Sequence, residues 1–399
     1  MRKPIPYGRQ HITQDDIDTV TETLQSDYLT QGPKIAEFEK AFADYVGSEY
    51  AVALANGTAA LHLCALALGV KDGDKVITTP ITFAASANCI RYCGGEVVFS
   101  DIDPDSYLLD IKKVEELLEA APLGTYKGII PVDFAGRSID MQAFRALADK
   151  YSLWIIEDSC HAPGGFFHDD SGIAQRCGNG NFADLAIFSF HPVKHIAAGE
   201  GGMITTNDKE LYQALSALRT HGITKDAASF KNSADFASGE VNASDYPAWY
   251  MEMQNLGYNY RLTDFQAALG LSQLTRAEDG LQKRRALARI YEQAFENKPF
   301  VKCQSGFVTG HAYHLYVIEV SNRVGLYNYL RERKIFAQIH YIPCHLMPYY
   351  RERGWKEGDF PHAEAYYKGC ISLPMYPTLT PEEQQFVITQ VSAFYEGNS

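Results

Sequence analysis

Two stretches of the chain carry side chains whose types and spacing suit covalent and acid–base chemistry. In Leu153-Trp-Ile-Ile-Glu-Asp158-Ser-Cys-His161-Ala an apolar run ends on a carboxylate. Ligands of open α/β sheets collect at the carboxyl ends of strands, so Asp158 stands where a site residue is expected; a helix N-cap or a turn aspartate is the structural alternative. In Phe188-Ser-Phe-His-Pro-Val-Lys194-His-Ile-Ala-Ala-Gly-Glu-Gly-Gly-Met203 a strand exits into a turn that holds one lysine among apolar and small residues. Partial burial disfavours an ammonium, which suits Lys194 to Schiff-base chemistry; the alternative is a surface lysine whose stem lies along apolar neighbours.

Two further stretches offer binding groups. Ala55-Asn-Gly57-Thr58-Ala-Ala-Leu-His reads as a strand-to-helix turn with small residues at the helix start, leaving free N–H groups and a hydroxyl for a phosphate. Thr79-Pro-Ile-Thr82-Phe83-Ala opens another helix from a strand end and presents an aromatic face, which is also what a core aromatic does. Two rival patterns are weaker. His191-x-x-x-His195 has the spacing of a zinc helix but lacks the intervening Glu and carries Pro192 where a helix interior is needed. Gly178-Asn-Gly180 lacks the third glycine of a dinucleotide fingerprint.

Short β-branched runs alternate with helical patterns through the first two-thirds of the chain, the rhythm of a mostly parallel sheet covered by helices. The predicted strands are 51–54, 75–78, 96–100, 128–132, 153–157, 185–189 and 203–206; the predicted helices between them are 59–68, 84–92, 111–120 and 141–150. From Thr224 to Leu256 the pattern dissolves into small and polar residues, which reads as an excursion: a lid, disorder or an arm to another subunit. A helical pattern from Thr263 to about Asn297 and strands near 314–320 and 337–341 complete a smaller C-terminal α/β unit. The boundaries expected are a large domain over 1–270, with the 224–256 excursion, and a small domain over 271–399.

Composition narrows the function. The 399 residues are 46% hydrophobic and 21% charged, a globular balance, and 36 basic against 49 acidic residues give a net charge of −13. No run of Lys or Arg offers the counterion release that nucleic acid or anionic lipid binding draws on, so neither is an expected partner. The apolar stretch Ala51–Val70 is interrupted by Asn56-Gly57-Thr58 and His62 and reads as a strand and a buried helix rather than a membrane span. The start, Met1-Arg-Lys-Pro-Ile-Pro, has no apolar export segment, and eight scattered cysteines show no zinc spacing; both fit a cytoplasmic protein with reduced thiols and no metal.

Taken together and in order, these stretches resemble the DegT/StrS-type sugar aminotransferases that use pyridoxal phosphate. The likeness also takes in Leu29-Thr30-Gln-Gly32-Pro33, Gly257-Tyr-Asn259-Tyr-Arg261-Leu-Thr-Asp264 and His340-Tyr341-Ile-Pro343. It implies the fold type I of pyridoxal-phosphate transferases. It also implies that Lys194 holds the cofactor as a Schiff base and moves the proton, and that Asp158 pairs with the pyridine nitrogen. Gly57, Thr58 and Ser189 would hold the phosphate, joined by Asn259 of a partner subunit in a homodimer with shared sites. Phe83 would stack on the ring, and His161, where many relatives carry Gln, would lie near the phenolic oxygen. Expected substrate contacts are Tyr7, Tyr28, Thr30, His314 and Tyr341, with Arg9, His311 and His340 as further candidates.

Ser-Phe-His-Pro-Val-Lys-His and Ile-Thr-Thr-Pro-Ile-Thr-Phe are most similar to the pseudaminic-acid branch of that family. The branch implies ping-pong transfer from L-glutamate to C4 of a UDP-linked 4-keto-6-deoxy-N-acetyl-hexosamine. Another nucleotide-linked 3- or 4-keto-deoxysugar, or a non-catalytic regulator that binds the cofactor, is the alternative. Related sugar dehydratases carry His in place of the lysine, and Lys194 argues against their chemistry.

Overall fold

The computed structural model describes residues 3–304 and 307–397. Its centre is a seven-stranded sheet: β1 (Tyr50–Leu54), β2 (Lys75–Thr78), β3 (Glu96–Phe99), β4 (Tyr126–Ile130), β5 (Trp154–Asp158), β6 (Leu185–Ser189) and β7 (Gly202–Thr206). The strand order is β1-β7-β6-β5-β4-β2-β3, and every strand runs parallel to the rest except β7, antiparallel to both neighbours. Helices cover both faces, so the inner strands read as unbroken apolar runs; Leu185, Ala186, Ile187 and Phe188 of β6 are all fully buried. Because β1, β2, β5 and β6 point the same way, the turns after Leu54, Thr78, Asp158 and Ser189 open at one edge of the sheet.

Local chemistry sets the helix starts. Asn56, Asp110 and Asp140 cap the helices Gly57–Ala67, Ile111–Glu119 and Met141–Tyr151 by accepting backbone N–H groups. The strand expected at 128–132 forms two residues earlier. Pro131 has no N–H to give the ladder, and Val132 regains a single bridge to Asp158.

The C-terminal region builds a three-stranded antiparallel sheet from Val301–Cys303, Tyr316–Val320 and Cys370–Leu373. The middle strand serves two cores by its alternation: Val317 packs into the cluster under the large sheet, while Tyr316, Ile318 and Val320 pack with Tyr291, Leu326 and Val387.

Two expectations are corrected. The helical pattern of 263–297 is two helices, Asp264–Leu274 and Ala277–Phe295; Arg276, at the break, turns to the buried carboxylate of Asp16 and the carbonyl of His11. The strand expected at 337–341 is absent: Ile335–Phe336 pairs with Ile5–Pro6, Gln338 makes one bridge to Ser372, and the following backbone turns His340 and Tyr341 towards the cavity described below.

The 224–256 excursion is ordered. Ile223–Thr224 pairs with Glu252–Met253 at its base, and Phe230, Tyr246 and Tyr250 cluster inside it, while Val241, Trp249 and Leu256 are exposed. No helix among the described residues is long and apolar enough to cross a membrane.

Candidate active site

The strand ends surround a cavity of about 770 Å³. Asp158, the last residue of β5, forms its floor and is buried. Its carboxylate is already held at both oxygens: the Ser86 hydroxyl donates to Oδ2 at 2.6 Å and the Cys160 amide to Oδ1 at 3.2 Å.

The turn after β1 makes a cup beside it. Asn56 takes the amides of Ala59, through its side chain, and Ala60, through its carbonyl, which leaves the first two amides of the helix, Gly57 and Thr58, to a ligand. Two close approaches explain the glycines. A Cβ on Gly57 would lie 3.1 Å from the Cβ of Ser189, and one on Gly202 would lie 2.5 Å from the carbonyl oxygen of Asn56. The Ser189 hydroxyl thus faces the same helix start, and together these groups form an anion cradle of N–H and O–H donors.

Lys194 enters from the turn after β6, where its amide bonds the carbonyl of His191 and Ala198 bonds back to Phe190. That segment is a turn rather than a helix, with His191 exposed and His195 Nε2 donating to the Ala312 carbonyl at 2.9 Å, so the zinc-helix pattern does not form. Burial lowers the Lys194 ammonium from its ordinary value; the fixed charge of Arg284 adds to this, and Cys160 and Asp158 oppose it.

Opposite Lys194 stands a wall of imidazole and phenol. The Ala135 N–H donates to His161 Nδ1 at 3.3 Å, which leaves the ring proton on Nε2, 3.2 Å from the Tyr341 hydroxyl. The rings of His161 and His314 lie 4.4 Å apart, and His195 follows at 5.7 Å from His314. Burial first, and then the charge of Lys194 or Arg284, holds all three well below the usual imidazole range; His340 is pushed down to about 3. The wall is therefore neutral at physiological pH. Tyr7 packs on His340 at 5.1 Å, and Phe83, 63% exposed, lines the cavity with its ring 6.3 Å from that of Tyr341.

The cavity thus brings together Gly57, Thr58, Phe83, Asp158, His161, Ser189, Lys194, Tyr7, His314, His340 and Tyr341. Tyr28 and Thr30 are exposed outside it, Asn259 is exposed on the bridge to Thr220, and Arg9 packs over Tyr376. His311 is a core residue stacked on Tyr313 at 3.8 Å. Sequence reasoning passed over Ser86, Cys160, His62 and Tyr260, which also line the cavity. A hydroxyl three residues after Phe83, at the start of the same helix, was the available signal for Ser86.

Behind the floor, Asp133, Glu157 and Cys177 place possible metal-ligand atoms within 4.8 Å of one another, yet none of the three lines the cavity. Burial raises both carboxyls, Asp133 to about 6 and Glu157 well above its ordinary value, so the pair holds a proton between them. Glu157 also accepts the amide of Gly178 at 3.0 Å, which gives the Gly178-Asn-Gly180 turn a structural role.

The donor set fits pyridoxal phosphate: an anion cradle, a buried carboxylate for a cationic ring nitrogen, an aromatic face, and an amine with a lowered proton affinity. Comparison with known proteins agrees. The DegT/DnrJ/EryC1/StrS aminotransferase family matches residues 10–392. The Bacillus subtilis spore coat polysaccharide biosynthesis protein SpsC is 39% identical over 98% of this chain and 97% of its own. The Campylobacter jejuni UDP-4-amino-4,6-dideoxy-N-acetyl-beta-L-altrosamine transaminase is 35% identical over 96% of this chain and 95% of its own. Among solved structures, Helicobacter pylori PseC, an aminotransferase of pseudoaminic acid biosynthesis, superposes with a TM-score of 0.86 at 30% identity over 99% of this chain and 100% of that one. The pyridoxal-phosphate form of the putative sugar aminotransferase Spr1654 from Streptococcus pneumoniae superposes at 0.85 and 27% identity, covering 99% of each chain. The chain belongs to the DegT/DnrJ/EryC1/StrS aminotransferase family, adopts the fold type I architecture and takes pyridoxal phosphate as its cofactor.

Proposed function

We propose that the protein moves an amino group from L-glutamate to C4 of a UDP-linked 4-keto-6-deoxy-N-acetyl-hexosamine, in the cytoplasm and in pseudaminic acid biosynthesis. The observation that carries it is the convergence of Lys194, Asp158 and the Gly57–Thr58–Ser189 cradle on one cavity. When bound, pyridoxal phosphate supplies an electron sink. The chain's own residues do the rest. Asp158 balances the charge of the ring nitrogen, and Gly57, Thr58 and Ser189 donate to the phosphate. Lys194 would hold the cofactor through its amine and, when released, its Nζ would take the proton from the reacting carbon of the substrate and return it. Burial lowers the proton affinity of its ammonium, which favours the neutral amine that this chemistry needs.

Phe83 would cover one face of the ring, and neutral His161, whose Nε2–H now faces the Tyr341 hydroxyl, would be the group near the phenolic oxygen. His314, Tyr341 and Tyr7 line the side from which a sugar enters. Asn259, exposed and outside its own subunit's cavity, fits a role in a neighbouring one, and the exposed apolar side chains Val241, Trp249 and Leu256 of the 224–256 arm suit contact with a second copy. Tyr28 and Thr30, exposed and outside the cavity of a single subunit, would reach a substrate only through such an assembly. On a division at about residue 270, Lys194, Asp158 and His161 would belong to one unit and His314, His340 and Tyr341 to the other.

The altrosamine transaminase and PseC support the choice of acceptor; the higher identity to SpsC supports a second one, another nucleotide-linked 3- or 4-keto-deoxysugar. A panel of UDP- and dTDP-linked 3- and 4-keto-sugars, incubated with L-glutamate and read by mass spectrometry, separates them. The UDP-linked 4-keto-N-acetyl sugar is expected to gain an amine first. Preference for a dTDP sugar or a 3-keto sugar overturns the acceptor assignment, and amination of none overturns the activity.

A further inference from the structure

We infer that Ser86 is a positioning residue for the cofactor: its hydroxyl orients the Asp158 carboxylate towards the cavity, an inference that rests on Asp158 being the partner of the ring nitrogen. Ser86 lies at the start of the helix Ala85–Tyr92 and is 1% exposed. Its hydroxyl has one proton and three oxygens in reach: Asp158 Oδ2 at 2.6 Å, Thr82 Oγ1 at 2.8 Å and the Phe83 carbonyl at 3.3 Å. The shortest contact and the only anionic acceptor is Asp158, so the proton goes there. Thr82, also buried, then donates its own proton to Ser86 Oγ, and the order Thr82 to Ser86 to Asp158 fixes the direction of the chain of hydroxyls.

The geometry ties three elements together. Thr82 and Ser86 follow β2, Asp158 ends β5, and the Cys160 amide, in the turn after β5, takes Asp158's other oxygen. A carboxylate held at both oxygens does not rotate away when the cofactor leaves. Phe83 lies on the same turn as Thr82 and Ser86, so the ring-facing side chain and the support of its nitrogen partner are set by one five-residue stretch.

The test is pyridoxal phosphate affinity measured against pH, from cofactor release by the holoenzyme. Cofactor binding is expected to show an acid limb, and Ser86→Ala, which frees the carboxylate to turn from the cavity, is expected to weaken binding about tenfold at neutral pH. Its acid limb is expected to move up by about one pH unit, and Ser86→Thr is expected to restore both. Thr82→Val, which leaves Ser86 in place, shifts the limb by about half as much and serves if the alanine variant does not fold. A uniform loss of affinity at all pH values, with the limb unmoved, is the mark of a structural role and overturns the proposal. Asp158→Asn is expected to abolish the limb. If it leaves the limb in place, Asp158 does not face the ring nitrogen, and the underlying site assignment fails instead.

Discussion

The floor and the wall of the cavity are built on different terms. On the floor every polar group has its place: Asp158 is held by Ser86 and Cys160, Asn56 caps its helix, and the two amides left over point at a ligand. The wall is made of neutral rings, and it leaves a nitrogen over: Nδ1 of His314 is buried without a hydrogen-bond partner among the described residues. A buried group costs free energy until it is paired; the carboxylate of Asp158 is fixed before any ligand arrives, whereas the wall has a bond still to make. The proposed roles follow the same line: the floor, with His161, for the cofactor, and His314, His340 and Tyr341 for the substrate.

That division is easiest to break at the cradle. In Gly57→Ala the new methyl meets Ser189 at 3.1 Å and pushes the helix start from its donor geometry. Loss of one bond to a charged phosphate costs about 1.5–3 kcal/mol, so cofactor affinity should fall by about ten- to a hundredfold. Equilibrium dialysis of the purified variant measures it; affinity within twofold of the parent would mean that the cup does not hold the phosphate.

A subtler probe lies behind the floor. The folded-state affinities of Asp133 and Glu157 for protons are raised above those of the unfolded chain, so folding keeps a proton that the unfolded chain releases. Their full stabilisation is present below about pH 4 and is lost as pH rises through the Asp133 value of about 6 and beyond. Glu157→Gln keeps an acceptor for Gly178 and a donor for Asp133 without the proton to lose. It should be more stable than the parent by about 1–2 kcal/mol at pH 8 and nearly equal at pH 4.5, by urea denaturation. An equal offset at both pH values would mean that the pair does not share a proton.

The smallest effect is expected on the wall. His314→Asn should leave cofactor affinity within twofold while the KM for the nucleotide sugar rises about fivefold, the cost of about 1 kcal/mol for one neutral hydrogen bond. If cofactor loss accompanied it, the wall would be serving the cofactor as well, and the two surfaces would not be distinct.

The floor was legible in the sequence because each of its parts is local. A parallel strand delivers the residue at its carboxyl end to the same edge, so Asp158 and the Asn56-Gly57-Thr58 turn follow from strand positions, while Ser189 was marked by the family resemblance. The wall is assembled from segments far apart in the chain, and its backbone misleads. Ala337-Gln-Ile-His-Tyr341 alternates like a strand, yet only Gln338 finds a partner, because Ile335–Phe336 has taken up Ile5–Pro6 instead. The break between the helices Asp264–Leu274 and Ala277–Phe295 has no glycine or proline to announce it; Asp16, from the first helix of the chain, draws Arg276 out of line. Ser86 was hidden for another reason. A serine at a helix start reads as a cap, and its tie to Asp158, 72 residues away, exists only in the fold.

The assignment of Lys194 as the residue that holds the cofactor is tested most directly by reducing the holoenzyme with borohydride and mapping the fixed cofactor by peptide mass spectrometry. The single modified lysine should be Lys194, and a Lys194→Ala protein should retain no reducible linkage and no transamination activity. A modified lysine elsewhere, or full covalent fixation in the Lys194→Ala protein, would contradict the account.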